Sequence, residues 1–280
     1  MKIIILGSGG SIPLPRPLCD CKNCSLARER GIPYARTGPS MFLVDEYVLF
    51  DTPEEIRYQL EREKVKELKH VFYTHWHPDH TQGMRIFEHL NFSYDEDKPP
   101  IDVYIPENEI PDFERFCPSI FFFEKMKYIR INKIGDRQPV QIGNVKITPL
   151  DFKRPDRVRY GYLVEKDGKR IVYAPCSTYG LSLDKHYENL DVLIMEIGWF
   201  GKTEETRASL PKTHAWQDHV SFEENLDIIK KIWPKRTILT HIDGTRHLKD
   251  DANHDFLMNE AKKHKEFNID IAYDGMTIEL

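Results

Sequence analysis

The chain has 280 residues, with 40 Lys and Arg against 45 Asp and Glu and a net charge of −5. That length suits one large α/β domain or two small ones, with ample core. The acidic balance excludes the broad basic surface of a protein that wraps long nucleic acid. Apolar runs such as IIIL at 3–6 are strand length, far short of a membrane span. In chain order, short β-branched or aromatic runs predict strands at 2–6, 41–45, 47–51, 70–74, 101–105, 145–150, 160–164, 170–174, 191–197, 236–240 and 269–273. Apolar stripes predict helices over 54–68 (Ile56, Leu60, Leu68), over 221–233 (Phe222, Leu226, Ile229, Trp233, with Ser221 as N-cap) and, more weakly, over 253–266. Strands lead and helices follow in two similar passes, the order of a layered α/β domain. The longest irregular stretch, 198–219, is long enough for a lid or binding loop.

MKIIILGSGG lacks the apolar h-region and cleavage site of a signal peptide, so a cytoplasmic setting is expected. Of five cysteines, Cys19, Cys21 and Cys24 crowd into LCDCKNC at 18–24. In a reducing compartment that clustering points to metal rather than disulfides. Three thiolates in one turn reach a single tetrahedral zinc, with a fourth ligand from elsewhere.

Residues 74–80 read THWHPDH. In extended backbone His75 and His77 face one way and Trp76 the other. Pro78 suits the first position of a helix that carries Asp79 and His80. Imidazole and carboxylate are ligands that zinc, iron and manganese accept.

THWHPDH resembles the HxHxDH signature of the metallo-β-lactamase superfamily. GSGGS at 7–11, YVLFDT at 47–52 and ILTHIDG at 238–244 are similar to that family's opening strands and late metal-binding segment. The resemblance covers nearly the whole chain. It implies a single domain over 1–280 with a four-layer αββα sandwich and a site at the strand ends between two sheets. It also implies two metal positions: one from His75, His77 and a third histidine, the other from Asp79, His80 and His241, joined by a bridging acid. Two positions depart from the pattern. Aligning the strands puts Arg154, beside Lys153, where the third histidine belongs, and Cys176 where the bridging acid belongs. Cysteine ligates zinc as thiolate; arginine stays protonated and cannot ligate. One well-held ion is therefore expected at Asp79, His80, Cys176 and His241, with the other position weak or empty. Arg154 and Lys153 would then bind an anionic group.

The CxCxxC resembles two branches of the superfamily, the phosphoribosyl cyclic phosphate phosphodiesterase and coenzyme PQQ synthesis protein B. By that resemblance the knuckle holds a structural zinc, with His247 as fourth ligand and Asp243 as runner-up. In the phosphodiesterase branch a histidine near the start of the helix before the last metal ligand protonates the leaving group. QDHVSFEEN places His219 there, with His214 as a weaker candidate. The expected activity is metal-assisted hydrolysis of a small phosphodiester, cyclic ones included, with Asp79 ligating and orienting water. Zinc is expected at the knuckle and, as one or two ions, at the active site, where manganese and iron are alternatives. The partner is a small anionic molecule rather than a membrane or nucleic acid, and a homodimer is compatible with the sequence. The rival readings are an oxygen-dependent cofactor-biosynthesis enzyme and a degenerate member that binds without catalysis.

Overall fold

The computed structural model describes residues 1–92, 98–153, 159–199, 219–243 and 253–280. Among them are fourteen strands: β1 Lys2–Gly7, β2 Ser40–Leu43, β3 Val48–Phe50, β4 His70–Phe72, β5 Ile101–Pro106, β6 Ile129–Ile134, β7 Val140–Ile142, β8 Val145–Asp151, β9 Tyr160–Lys166, β10 Lys169–Ala174, β11 Val192–Glu196, β12 Thr237–Thr240, β13 Ile269–Ile271 and β14 Met276–Glu279. They form two seven-stranded sheets, in the orders β14-β1-β2-β3-β4-β5-β6 and β13-β12-β11-β10-β9-β8-β7. In the first sheet the pairs from β14 to β3 are antiparallel and those from β3 to β6 parallel. The second sheet repeats this, antiparallel from β7 to β10 and parallel from β10 to β13.

Alternation along the strands explains the layers. Ile171 and Tyr173 of β10, with Val192 and Ile194 of β11, meet Ile3, Ile5, Val48, Phe50 and Phe72 of the first sheet. The intervening Val172, Ala174, Leu193 and Met195 face outward to helices. A period of two with both faces buried is what a central strand requires. The outer helices on this side are α1 Lys22–Arg30, α7 Phe222–Ile232 and α8 His254–Lys262. The first sheet is covered by α2 Ile56–Arg62, α4 Ile86–Asn91, α5 Ile110–Phe116 and α6 Ser119–Lys125, and α3 is the short turn Pro78–Thr81. The architecture is the expected α/β sandwich, with helices outside two facing sheets.

Three strands escaped the sequence reading: β6, β7 and β14. All lie at sheet edges. IRINKI and MTIE alternate with exposed polar residues, so neither has a full apolar run. Helix α1 buries only Asn23, Cys24 and Ala27, too small a stripe to register. Helix α7 starts where expected, with a capping box between Ser221 and Glu224. Trp233, counted in its stripe, is instead the left-handed C-cap, φ 50°, and is 62% exposed; Ile232 takes its place in the core. No helix among the described residues is long and apolar enough to cross a membrane.

Candidate functional site

The candidate site gathers where strands of the two sheets end. THWHPDH leaves β4, and Pro78 opens α3 with Asp79 in its first turn. The turn is docked on the end of β3: Thr52 N–H donates to the His80 carbonyl at 2.8 Å, and Gly83 N–H to the Thr52 carbonyl at 2.9 Å. Asp51, Ser177 and His241 follow β3, β10 and β12 with φ of 61°, 57° and 56°. Left-handed backbone at a non-glycine residue costs on the order of 1–3 kcal/mol and persists where the surroundings over-determine it. Here it turns a side chain inward at each strand end.

Asp51, fully buried, organises the histidines. Its carboxylate accepts from Thr74 N–H at 2.8 Å and from the Thr74 hydroxyl. Its Oδ2 lies 2.8 Å from His80 Nδ1. That bond leaves His80 Nε2 as the nitrogen facing the site. Thr74 Oγ1, 3.0 Å from His75 Nδ1, does the same for His75, whose Nε2 lies 3.9 Å from Cys176 Sγ. Asp79 Oδ2 stands 3.4 Å from His80 Nε2 and 3.3 Å from His241 Nε2. Gly10 backs His241: a Cβ there would lie 2.7 Å from His241 Nδ1 and 2.6 Å from Asp243 Oδ1. Asp243 in turn accepts from Ile12 N–H and the Ser11 hydroxyl, which ties the GSGGS turn to the end of β12.

Three overlapping sets offer donor atoms within 4.8 Å of one another: His75, His80 and Cys176; Asp79, His80 and His241; Cys176, His219 and His241. His80 Nε2 and both nitrogens of His241 are buried without a hydrogen-bond partner. A lone pair in that situation is costly unless something binds it. The charges are arranged to match. Burial opposes ionisation of Asp79, yet His80 and His241 hold it below the usual carboxylate range. Burial alone would raise the Cys176 thiol, but His241, His80 and His219 bring it down to about 6. Carboxylate, thiolate and imidazole are a donor set suited to zinc, so Asp79, His80, Cys176 and His241 fit a divalent ion.

His219 adjoins this cluster. Its Nδ1 bonds Glu196 Oε2, and the other Glu196 oxygen accepts from Thr178 N–H and its hydroxyl. Burial opposes a charge on His219, but Glu196 outweighs it and raises the imidazolium to about 9. Gly198 makes room for it: a Cβ there would stand 2.6 Å from His219 Cβ.

His77 faces a different partner. Arg159 Nη2 lies 2.8 Å from His77 Nε2. Arg159 is 3% exposed, and its Nη1 is 3.8 Å from buried Glu109. Glu109 also accepts from Trp76 N–H at 3.1 Å. Burial, then the Arg159 charge, hold His77 down to about 3. Burial, His80 and Arg159 keep His75 well below its ordinary value. Lys153 is half exposed, its ammonium on Asp136 and 3.7 Å from Asp151. Arg154, His214 and His247, and most of the 198–219 loop, lie outside the described residues. Glu196, Glu109, Asp51 and Arg159 are the site residues that sequence reasoning missed. Of these, Asp51 in YVLFDT and Glu196 ending VLIME carried a signal, each as a lone carboxylate at a strand end.

The knuckle thiols of Cys19, Cys21 and Cys24 come within 4.8 Å of one another; Cys21 is the N-cap of α1 and Cys24 lies in its first turn. Cys24 Sγ accepts from Arg16 N–H at 3.3 Å, which favours thiolate, but burial and then the neighbouring Cys21 and Cys19 thiols outweigh it and push the Cys24 thiol up to about 11. Three converging sulfurs fit three corners of a tetrahedral zinc.

Comparison with known proteins agrees with this architecture. Ribonuclease Z of Thermococcus onnurineus is 26% identical over 187 residues, which cover 65% of this chain and 53% of that protein. The match thus spans about half the length of that relative. A diphosphatase from the PhnP family superposes with a TM-score of 0.75 at 24% identity, covering 100% of this chain and 98% of the other. Zn(2+)-bound PqqB from Methylobacterium extorquens also gives 0.75, at 18% identity with both chains fully covered. Residues 46–242 match the Beta-lactamase superfamily domain, and the chain, with its paired sheets and its metal-ready cluster between them, belongs to that superfamily.

Proposed function

We propose that the chain is a metal-dependent hydrolase acting on a small phosphodiester. The observation that carries this reading is the Glu196–His219 pair set against the Cys176 and His241 donors. An ion held by Asp79, His80, Cys176 and His241 would supply Lewis acidity and a water of lowered pKa. The chain's own groups do the rest. Glu196 keeps His219 protonated at neutral pH, and His219 donates that proton to the departing oxygen. Asp51 and Thr74 hold the imidazoles in the tautomer that aims Nε2 inward. Ribonuclease Z among the relatives makes an RNA ester the alternative substrate, but a net charge of −5 weighs against an extended polyanion.

The test is hydrolysis of bis(p-nitrophenyl) phosphate, cyclic phosphodiesters and a precursor tRNA by zinc-, manganese- or iron-loaded protein. Turnover of the small esters is expected. His219→Ala should lower the rate on an ester with an alkoxide leaving group by roughly 10²–10⁴-fold while metal content is unchanged. Full activity of that variant removes His219 from the acid role. Inertness of every loaded form towards every ester removes the hydrolase reading.

A further inference from the structure

We infer that the guanidinium of Arg159 occupies the place of a second metal ion, so that the site takes one divalent ion and meets an anionic substrate with Arg159 as the other cation. The argument starts from the single lone pair of a neutral imidazole. His77 Nε2 accepts from Arg159 Nη2 at 2.8 Å, and a nitrogen so engaged cannot also ligate. Arginine never gives up its proton in a protein, so the competition is not relieved by pH. Accordingly His77 belongs to none of the groups of three converging donors among the described residues.

The guanidinium is held where it is. Arg159 enters from the start of β9, 3% exposed, and approaches Glu109 to 3.8 Å. Glu109 also fixes the backbone of Trp76, so one buried carboxylate positions both the arginine and the segment that carries His77. His75, whose ring centroid is 4.6 Å from that of His77, turns the other way, with its Nε2 towards Cys176. The histidines that would share an ion are thus divided, one facing the thiol and one facing the guanidinium. A permanent charge beside the donor set would also repel a second ion from the gap between them. The same charge, with its several N–H donors, suits a phosphoryl oxygen. This anion-binding half rests on the phosphodiester reading; the ion count does not.

The experiment counts ions in the full zinc-loaded chain, by elemental analysis and by an anomalous map that separates the knuckle from the site. One site ion is expected, and two in the wild type would overturn the inference. His77→Ala should keep that ion, whereas its loss would make His77 a ligand and overturn the inference. Arg159→His, which substitutes a donor for the cation, should take up one additional ion; an unchanged count in the folded variant would show that Arg159 is not what excludes it. Inorganic phosphate binding to zinc-loaded protein, measured by calorimetry, should weaken about tenfold or more in Arg159→Met, the loss of one charge-assisted contact. Equal affinity would remove the anion-binding half even if the ion count held and the phosphodiester activity stood.

Discussion

His77 and His80 leave the same turn three residues apart, and they meet opposite surroundings. His77 spends its Nε2 on a guanidinium; His80 has its Nδ1 on Asp51 and a buried Nε2 with no hydrogen-bond partner. Both are neutral-capable imidazoles in one motif, so residue type alone does not tell them apart. The partner of each ring decides. A nitrogen left unsatisfied in the interior is suited to a metal, and a nitrogen already accepting a hydrogen bond is not. The comparison separates a metal-ready half of the cluster from a half whose positive charge is built into the chain.

Removing a donor from the metal-ready half should have the largest effect. Cys176→Ala is expected to lose the site ion, read by metal analysis, while the knuckle zinc stays. Unchanged occupancy and affinity would take Cys176 out of the ligand set. Asp51→Asn keeps the shape but withdraws the carboxylate that orients His80. Its metal affinity should fall by roughly 10–100-fold, as for other groups that orient a ligand, measured by competition with a chelator. The same affinity in both proteins would mean that His80 is positioned without Asp51.

Glu196→Gln tests the acid beside that half through the pH profile. Glu196 raises His219 to about 9, and the active form is the protonated one. Activity should therefore be present below that value and be lost as pH rises through it. Without the carboxylate the fall should move down towards the ordinary histidine value near 6.5. A profile unmoved on the alkaline side would mean that His219 is not the group that titrates. The smallest effect is expected from Ser221→Ala, which removes the cap of α7 next to the His219 segment. It should cost about 1 kcal/mol in stability, read by denaturant midpoint, with ion content untouched. A loss of metal instead would show that the cap sets the site's geometry as well as the helix.

The central strands and the donor residues were legible because their signals are local or repeated. VLIME and RIVYA read as buried strands, and THWHPDH concentrates its ligands in one turn. Cys176 and His241 could be found because each follows a readable strand. Arg159 could not. KRPDRVRY offers Lys153, Arg154, Arg157 and Arg159 within seven residues, and only the register of β9 on β8, with Asp151 opposite Tyr160, brings Arg159 to the strand mouth. Glu109 and Glu196 were missed for a related reason. Glu196 is a lone acid among apolar residues and Glu109 is one of four acids in ENEIPDFE; the role of each exists only through a partner, 50 residues away for Arg159 and 23 for His219.

The spacing of the two thiol-bearing sites also bears on how each is assembled. Cys19, Cys21 and Cys24 are near neighbours in sequence, whereas the site needs Asp79 and His241 in one place. Closing the longer loop costs about 3 kcal/mol more in chain entropy. It also requires both sheets to be in contact. The site becomes competent for its ion only after β12 has joined the second sheet and the turn at Gly10 has closed behind His241. Binding at the site would thereby report that the two halves of the fold have docked.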